Sequence, residues 1–207
     1  MAKLKGKIFH KVVFTCMLII GFHLIYAQEY RVSIIPVGEV KQMHLEIVKS
    51  AIEEFYKVEA YIEKPIEIKN EFITKFDTIL DANPINQYII DQFDTTNVKF
   101  IGVTDWCLII GNRMVMPIRG YAIDLGGSSA TLSSYKVLAE VKNEKEHTFE
   151  FMFSKVANHE LGHLLGLPHC SNEKCLLTFG NNFLQSENKL CQSCMHEIDA
   201  EFVKTHQ

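Results

Sequence analysis

The most chemically informative stretch of the chain is 159–169, which reads His-Glu-Leu-Gly-His-Leu-Leu-Gly-Leu-Pro-His. His159 and His163 are spaced i and i+4, so on a helix they lie one turn apart on the same face, where two imidazoles can bind one ion. Gly166 permits a sharp turn in the chain, and this turn can bring His169 back as a third ligand. Three protein ligands with one open position are the arrangement of a catalytic zinc site.

An acid stands next to the first histidine of this motif. Glu160 is expected to lie beside the metal rather than on it, where its carboxylate can accept a proton from a water molecule that the metal activates. The five-residue core of the motif also recurs by chance. The third histidine, and a glycine at the end of a helix, make a chance cluster of solvated or core-packed histidines the weaker interpretation.

Four cysteines follow the histidines and form a second candidate site. Cys170 and Cys175 are separated by four residues, Cys191 and Cys194 by two, and the two pairs by a spacer of 15. This layout matches a tetrathiolate zinc site, which is structural because it leaves no open position. Two disulfides are the alternative if the protein is exported, although Cys191 and Cys194 would close a tight ring. Cys107 is left over and is expected to be a buried strand residue.

The histidine motif lies on the strongest predicted helix of the chain, 149–165. Apolar residues recur along it at the spacing of a core-facing helix. Gly166 and Pro168 then supply the usual signals for a helix to end. The residues expected to face the core are Phe153, Val156, Ala157, Leu161 and Leu164.

Strands and helices alternate in the first half of the chain, which favours an α/β fold with an open sheet. Strands are predicted at 31–37, 61–68 and 98–103, and helices at 41–57 and 85–93, with Asn83-Pro84 as a break before the second helix. Short strands and turns are predicted over 104–135. The small, polar segment 128–134 suits a strand along a groove, and an ordinary surface hairpin is the alternative.

The first 27 residues have the composition of a secretory signal. Four lysines without any acid precede an almost wholly apolar run that ends at Ala27. This layout predicts cleavage before Gln28 and export to the periplasm or the medium. An uncleaved membrane anchor is the alternative, although the run is shorter than the roughly 20 residues of a spanning helix. The predicted domains are a signal peptide, 1–27, and a catalytic domain, 28–207, with no stable membrane association after cleavage.

The charge of the chain bears on its partners. The full sequence carries a formal net charge of −4, and removal of the four N-terminal lysines leaves −8. An acidic body without a basic patch argues against a nucleic-acid partner. The expected partner is a peptide or protein substrate.

The stretch from His159 to Cys194 resembles the signature of the archaemetzincin family of metzincin zinc metallopeptidases. The signature consists of the extended histidine motif, the cysteine that follows it, a second cysteine and a late cysteine pair. The segments Gly102–Asp105 and Arg119–Ala122 resemble the family more weakly, so that the resemblance covers roughly 98–200. It implies a zincin-like fold with a twisted mixed sheet, an active-site helix and a small Cys-rich C-terminal subdomain. It also implies one catalytic and one structural zinc, and some members of the family act as aminopeptidases.

Three departures from the family pattern concern the site and the leader. Leu177 stands where the family has a methionine in a turn beneath the metal, and we expect it to supply a similar apolar floor. The spacer to the late cysteine pair is shorter, and the N-terminal leader is unlike the cytosolic members. The sequence thus favours a peptidase, with two alternatives: a catalytically silent zinc-binding or interaction protein, and a zinc-dependent amidase acting on non-peptide substrates.

Overall fold

A five-stranded sheet forms the centre of the protein in the computed structural model, which describes residues 30–111, 116–142, 147–180 and 182–198. Its strands are β1 (Arg31–Pro36), β2 (Ala60–Ile62), β4 (Val98–Thr104), β6 (Gly120–Ala122) and β7 (Ser129–Ser133). Their order in the sheet is β2-β1-β4-β7-β6. The first four strands in this order are parallel to their neighbours, and β6 is antiparallel at the edge. A separate two-stranded parallel sheet pairs β3 (Ile79–Asp81) with β5 (Cys107–Ile109).

Helices cover both faces of the large sheet. They are α1 (Gln42–Tyr56), α2 (Ala82–Gln92), α3 (Ser134–Val141), α4 (Phe149–Leu164), α5 (Asn182–Gln185) and α6 (Gln192–Glu197), with a 3₁₀ turn at Asn70–Phe72. The larger apolar cluster joins one face of the sheet to α1 and α4. A second cluster joins the opposite face to α2 and the 3₁₀ turn. The predicted α/β fold with a mixed sheet and a Cys-rich C-terminal region is confirmed, and the sheet is mostly parallel.

Burial on both faces explains the continuous apolar runs of the strands. In β1, Val32 and Ile34 belong to the first cluster, whereas Ile35 belongs to the second. Successive side chains of a strand point to opposite faces, so a strand covered on both sides needs apolar residues at successive positions. Cys107 is buried in β5, as predicted.

Two predicted element boundaries are wrong for reasons of proline chemistry. The strand predicted over 61–68 ends at Ile62, and only an isolated bridge from Val37 to Ile66 continues the pairing beyond it, because Pro65 has no N–H to donate. The helix predicted from residue 85 begins before Pro84, at Ala82. Proline is tolerated in the first helical turn, where its missing N–H would be unpaired in any case.

The expectation that the polar segment 128–134 lies along a groove is also wrong. Its strand, β7, is buried at every position between β4 and β6. Burial is tolerated because the polar side chains are paired. Ser129 and Thr131 donate hydroxyl hydrogen bonds of 2.9 and 2.8 Å to Oδ1 of Asn86 on α2.

The described ranges contain no helix long and apolar enough to span a membrane. The predicted signal peptide, 1–27, lies outside the described residues.

Candidate active site

Helix α4 carries the histidine motif and is held firmly at both ends. The hydroxyl of Thr148 caps its first turn by accepting a hydrogen bond of 3.2 Å from the N–H of Phe151. Gly166 has a φ of +88° just after the helix, a conformation that side chains with a Cβ resist. The carbonyl of His163 accepts the N–H groups of Gly166 and of Gly126, at 2.9 and 2.8 Å. The end of the helix is therefore tied to the turn that precedes β7.

The structure brings the three predicted histidines together. One ring nitrogen from each of His159, His163 and His169 lies within 4.8 Å of the others. His159 and His163 are buried on α4, whereas His169 is exposed on the loop that the Gly166 turn directs back. The motif spacing thus produces one cluster from a helix and the loop after it.

The hydrogen bonds of two of these histidines fit a bound cation. Nδ1 of His159 lies 2.8 Å from the carbonyl oxygen of Leu176, and Nδ1 of His163 lies 2.7 Å from that of Leu167. A carbonyl only accepts, so each Nδ1 carries the proton and each Nε2 of a neutral ring is a bare lone pair. The two Nε2 atoms nevertheless face each other at 3.0 Å. A metal ion between them is the arrangement that makes this approach favourable.

Burial keeps these imidazoles neutral, as metal ligands must be. Loss of solvation lowers the pKa of His159 to about 3, aided by the neighbouring His163. The pKa of His163 is also lowered, mainly by burial. Both rings therefore present lone pairs at neutral pH.

Glu160 lies in a dry position beside the histidines. It is 6% exposed, and burial raises the pKa of its carboxyl to about 8, although a hydrogen bond from the backbone of Ala122 opposes this shift. Ala122 belongs to the edge strand β6, which therefore forms one wall of the site. Burial alone therefore favours the protonated acid, whereas a cation held by the histidines would favour the carboxylate that can accept a proton.

The side chains that support the ring of His159 could not be predicted from the sequence. The edge of the Phe183 ring packs on His159, with ring centroids 5.2 Å apart. The guanidinium of Arg119 lies 5.0 Å from the same ring and pairs with Glu140 through Nε and Nη2, at 2.6 and 2.8 Å. The fully buried Lys155 donates to the carbonyls of Phe183, Leu184 and Ser186. Arg119, Glu140 and Phe183 lie far from the histidine motif in the sequence, so no spacing links them to it. Lys155 lies one turn before His159 on the same helix.

The loop after the motif packs two side chains, Leu177 and Phe179, near the histidines. Leu177 is fully buried, and a Cβ built on Gly162 of α4 would lie 2.9 Å from Cδ2 of Leu177. Leu177 therefore packs on α4 at the residue before His163, a position compatible with the expected apolar floor. The ring of Phe179, 72% exposed, packs on His169 with centroids 4.8 Å apart.

The four late cysteines also meet. Their sulfurs all lie within 4.8 Å of one another, with 3.7 Å between Cys170 and Cys191 and 3.8 Å between Cys175 and Cys194. Four thiolates at about 2.3 Å from a tetrahedral zinc stand about 3.8 Å apart, so the spacing fits such an ion. Hydrogen bonding from the backbone of Cys194 lowers the pKa of Cys191 to about 7, whereas burial raises that of Cys175.

Known proteins resemble this chain over most of its length. The family model described as peptidase family M54 matches residues 85–200, which is more than half of the sequence. The chain belongs to peptidase family M54. The archaemetzincin of Methanocaldococcus jannaschii is 26% identical over 176 residues, covering 81% of this chain and 92% of its own. That of Haloarcula marismortui is 26% identical over 176 residues, covering 81% and 98%.

Solved structures of archaemetzincins share the fold. The protein from Archaeoglobus fulgidus, complexed with malonate, has a TM-score of 0.66 at 22% identity, with coverage of 81% of this chain and 99% of its own. The protein from Methanopyrus kandleri has a TM-score of 0.69 at 18% identity, with coverage of 86% and 98%. The resemblance to the archaemetzincin family that the motif indicated is thus confirmed, and with it the class of zinc metallopeptidase.

Proposed function

We propose that this M54 peptidase hydrolyses peptide bonds with zinc held by His159, His163 and His169 and with Glu160 as the general base. A zinc ion held by these nitrogens would supply a Lewis acid able to polarise the scissile carbonyl and to lower the pKa of water. The observation that carries the proposal is the approach of two lone-pair Nε2 atoms to 3.0 Å next to a buried carboxyl.

Glu160 moves the proton in the proposed reaction. Its carboxylate takes a proton from the attacking water and later returns it to the leaving amine. The backbone of Ala122 orients the carboxyl, and β6 keeps bulk water from it on that side. A protein that only bound zinc would have no need of a buried acid at this position, and family membership argues in the same direction.

We further propose that Cys170, Cys175, Cys191 and Cys194 hold a second, structural zinc. The sulfur spacing and the absence of an open ligand position support this role. Cys170 directly follows His169, so a metal-bound cysteine site would also fix the position of the third histidine.

The experiment is a cleavage profile of the zinc-loaded chain on a peptide library in which each peptide has either a free or an acetylated N-terminus. Cleavage confined to free N-termini would assign an aminopeptidase, and cleavage of both sets an endopeptidase. Glu160→Gln is expected to keep its zinc and to lose about 10²- to 10⁴-fold in kcat. Glu67→Gln, at an exposed position, is the matched control.

Two results would overturn this proposal. Glu160→Gln acting at the parent rate would remove Glu160 from the mechanism. A parent enzyme that left every peptide intact but hydrolysed non-peptide amides would favour the amidase alternative.

A further inference from the structure

A groove of about 890 Å³ runs between α1 and the first half of α4. Met43, Glu46, Ser50 and Glu54 contribute the α1 wall, and Phe151 and Ser154 contribute to the α4 wall. The α1 positions recur every three or four residues, so they form one face of the helix along nearly its whole length. Lining residues extend from Met43 to Phe55, which at 1.5 Å per residue corresponds to about 18 Å.

Apolar side chains are left uncovered in this groove. Met43 is 61% exposed and Phe151 is 37% exposed. Ile47, Phe55 and Phe149 are partly buried and pack on the core below. A concave strip of apolar surface with a polar rim is typical of a site that binds the apolar face of a partner.

The rim of the groove is acidic. Glu46, Glu54 and Glu150 are all lining residues, and none of the described residues that line the groove is a lysine or an arginine. An occupant with positive charge is therefore favoured, since opposite charges across an interface speed association and exclude wrong partners.

One residue of the groove wall has a buried polar atom without a partner among the described residues. Asn158 lines it, is 1% exposed, and its Oδ1 has no hydrogen-bond partner within the described part of the chain. The rest of the residue is engaged: its carbonyl accepts from Tyr56 at 2.6 Å, and its Nδ2 donates to Asn188 at 3.2 Å. A buried acceptor normally has a donor, so this oxygen marks a point at which the groove wall is not fully satisfied by the described residues.

We propose that this groove binds a basic amphipathic helix of a partner protein, apolar side inward. The partner's apolar residues would lie between Met43 and Phe151, and its lysines or arginines would face Glu46 and Glu54. Asn158 directly precedes His159, so the bound helix would pack against the part of α4 that leads into the metal cluster. The proposal does not depend on the peptidase activity.

The test is direct binding of a fluorescent peptide to the full zinc-loaded chain carrying Glu160→Gln, so that cleavage does not interfere. The probe has about 12 residues, the number that spans 18 Å as a helix, with leucines on one face and lysines on the other. A peptide with glutamates in place of the lysines is the control ligand. We expect anisotropy to show saturable binding of the lysine probe alone, weakened by added salt.

Two variants separate charge from shape. Glu46→Gln with Glu54→Gln should weaken binding roughly tenfold, as the loss of two exposed charge pairs implies. Ser50→Trp, at an exposed position of α1, should fill the groove and abolish binding without disturbing the core. Glu67→Gln with Glu71→Gln makes the same charge change at exposed positions by the opposite cluster and should have no effect.

Equal binding of the peptide by the parent and by the Ser50→Trp variant would overturn the proposal. Equal weakening of binding by the two double variants, Glu46→Gln with Glu54→Gln and Glu67→Gln with Glu71→Gln, would also overturn it. Self-association of the parent that Ser50→Trp abolishes, without peptide binding, would assign the groove to a second copy of the chain and would also overturn it.

Discussion

Gly120 leaves the space that Glu160 occupies. A Cβ built on Gly120 would lie 2.7 Å from both Cγ and Oε1 of Glu160, well inside van der Waals contact. Two residues later in the same strand, the backbone of Ala122 hydrogen-bonds the Glu160 carboxyl. The edge strand β6 therefore sets the position of this carboxyl by making room for it and by binding it.

Gly120→Ala is predicted to displace the Glu160 carboxyl and to lower kcat by about 10²-fold, as expected for a catalytic group misplaced by about 1 Å. Zinc content and thermal stability should remain close to those of the parent, because the three atoms nearest to the added methyl group all belong to Glu160. Steady-state kinetics with metal analysis tests this. An unchanged kcat would show that Glu160 can move without loss of function.

His163→Ala is predicted to remove the zinc of the histidine site and leave that of the cysteine site. The variant loses one of the two lone pairs that face each other at 3.0 Å, and two remaining histidines hold the ion far more weakly. Metal analysis should fall by one zinc per chain, whereas Glu160→Gln should retain the parent content. No fall in bound zinc would contradict the assignment.

The cysteine site is predicted to fold the region after α4, because metal-binding energy becomes folding energy. Cys191→Ser should release one zinc. It should also weaken catalysis, although Cys191 is not part of the histidine site, because another ligand of the cysteine site, Cys170, is adjacent to His169. In the parent, thiols should become titratable only after chelation. Native mass spectrometry decides between the two chemistries: a mass four hydrogens short with at most one zinc would establish two disulfides instead.

Lys155→Met is predicted to destabilise the protein by about 1–3 kcal/mol at pH 7, because buried carbonyls of Phe183 and Ser186 lose their donor. Burial, aided by the charge of Arg119, lowers the pKa of Lys155 from 10.5 to about 8. The unfolded chain therefore binds the proton more tightly between pH 8 and 10.5, so this residue makes the parent gain stability as pH rises through that window.

Urea unfolding of the parent and of Lys155→Met across this pH range tests the prediction. The difference in the free energy of unfolding between the parent and Lys155→Met should grow towards high pH. The Lys64→Met variant, changed at an exposed position, should show the same pH dependence as the parent. A constant difference would contradict the lowered pKa.

Export remains a prediction from composition. The mature chain is expected to leave the cytoplasm and to begin near Gln28. N-terminal sequencing of protein from fractions of the native host tests this, with a cytoplasmic enzyme as the fractionation control. A cytosolic protein with an intact Met1 would count against export, and an intact Met1 in the membrane fraction would support the anchor.

Local sequence determined the histidine cluster almost completely. The spacing of His159 and His163 places both on one face of a helix whatever the rest of the chain does, and Gly166 supplies the positive φ that turns the next segment back. Apolar periodicity likewise predicted α1 and α4 to within one residue at each end. These features depend on backbone geometry over a few residues, and this geometry can be predicted from the residue types in a short segment.

Tertiary structure alone decided what surrounds that cluster. Phe183 meets His159, and Gly120 meets Glu160, across 24 and 40 positions of sequence, and no local pattern links such partners. The polar strand β7 became a buried central strand because Asn86, more than 40 residues earlier, accepts its hydroxyl hydrogen bonds. Contacts of this kind depend on which elements pack together, and the free energy that selects the packing is shared over the whole core rather than held in any short segment.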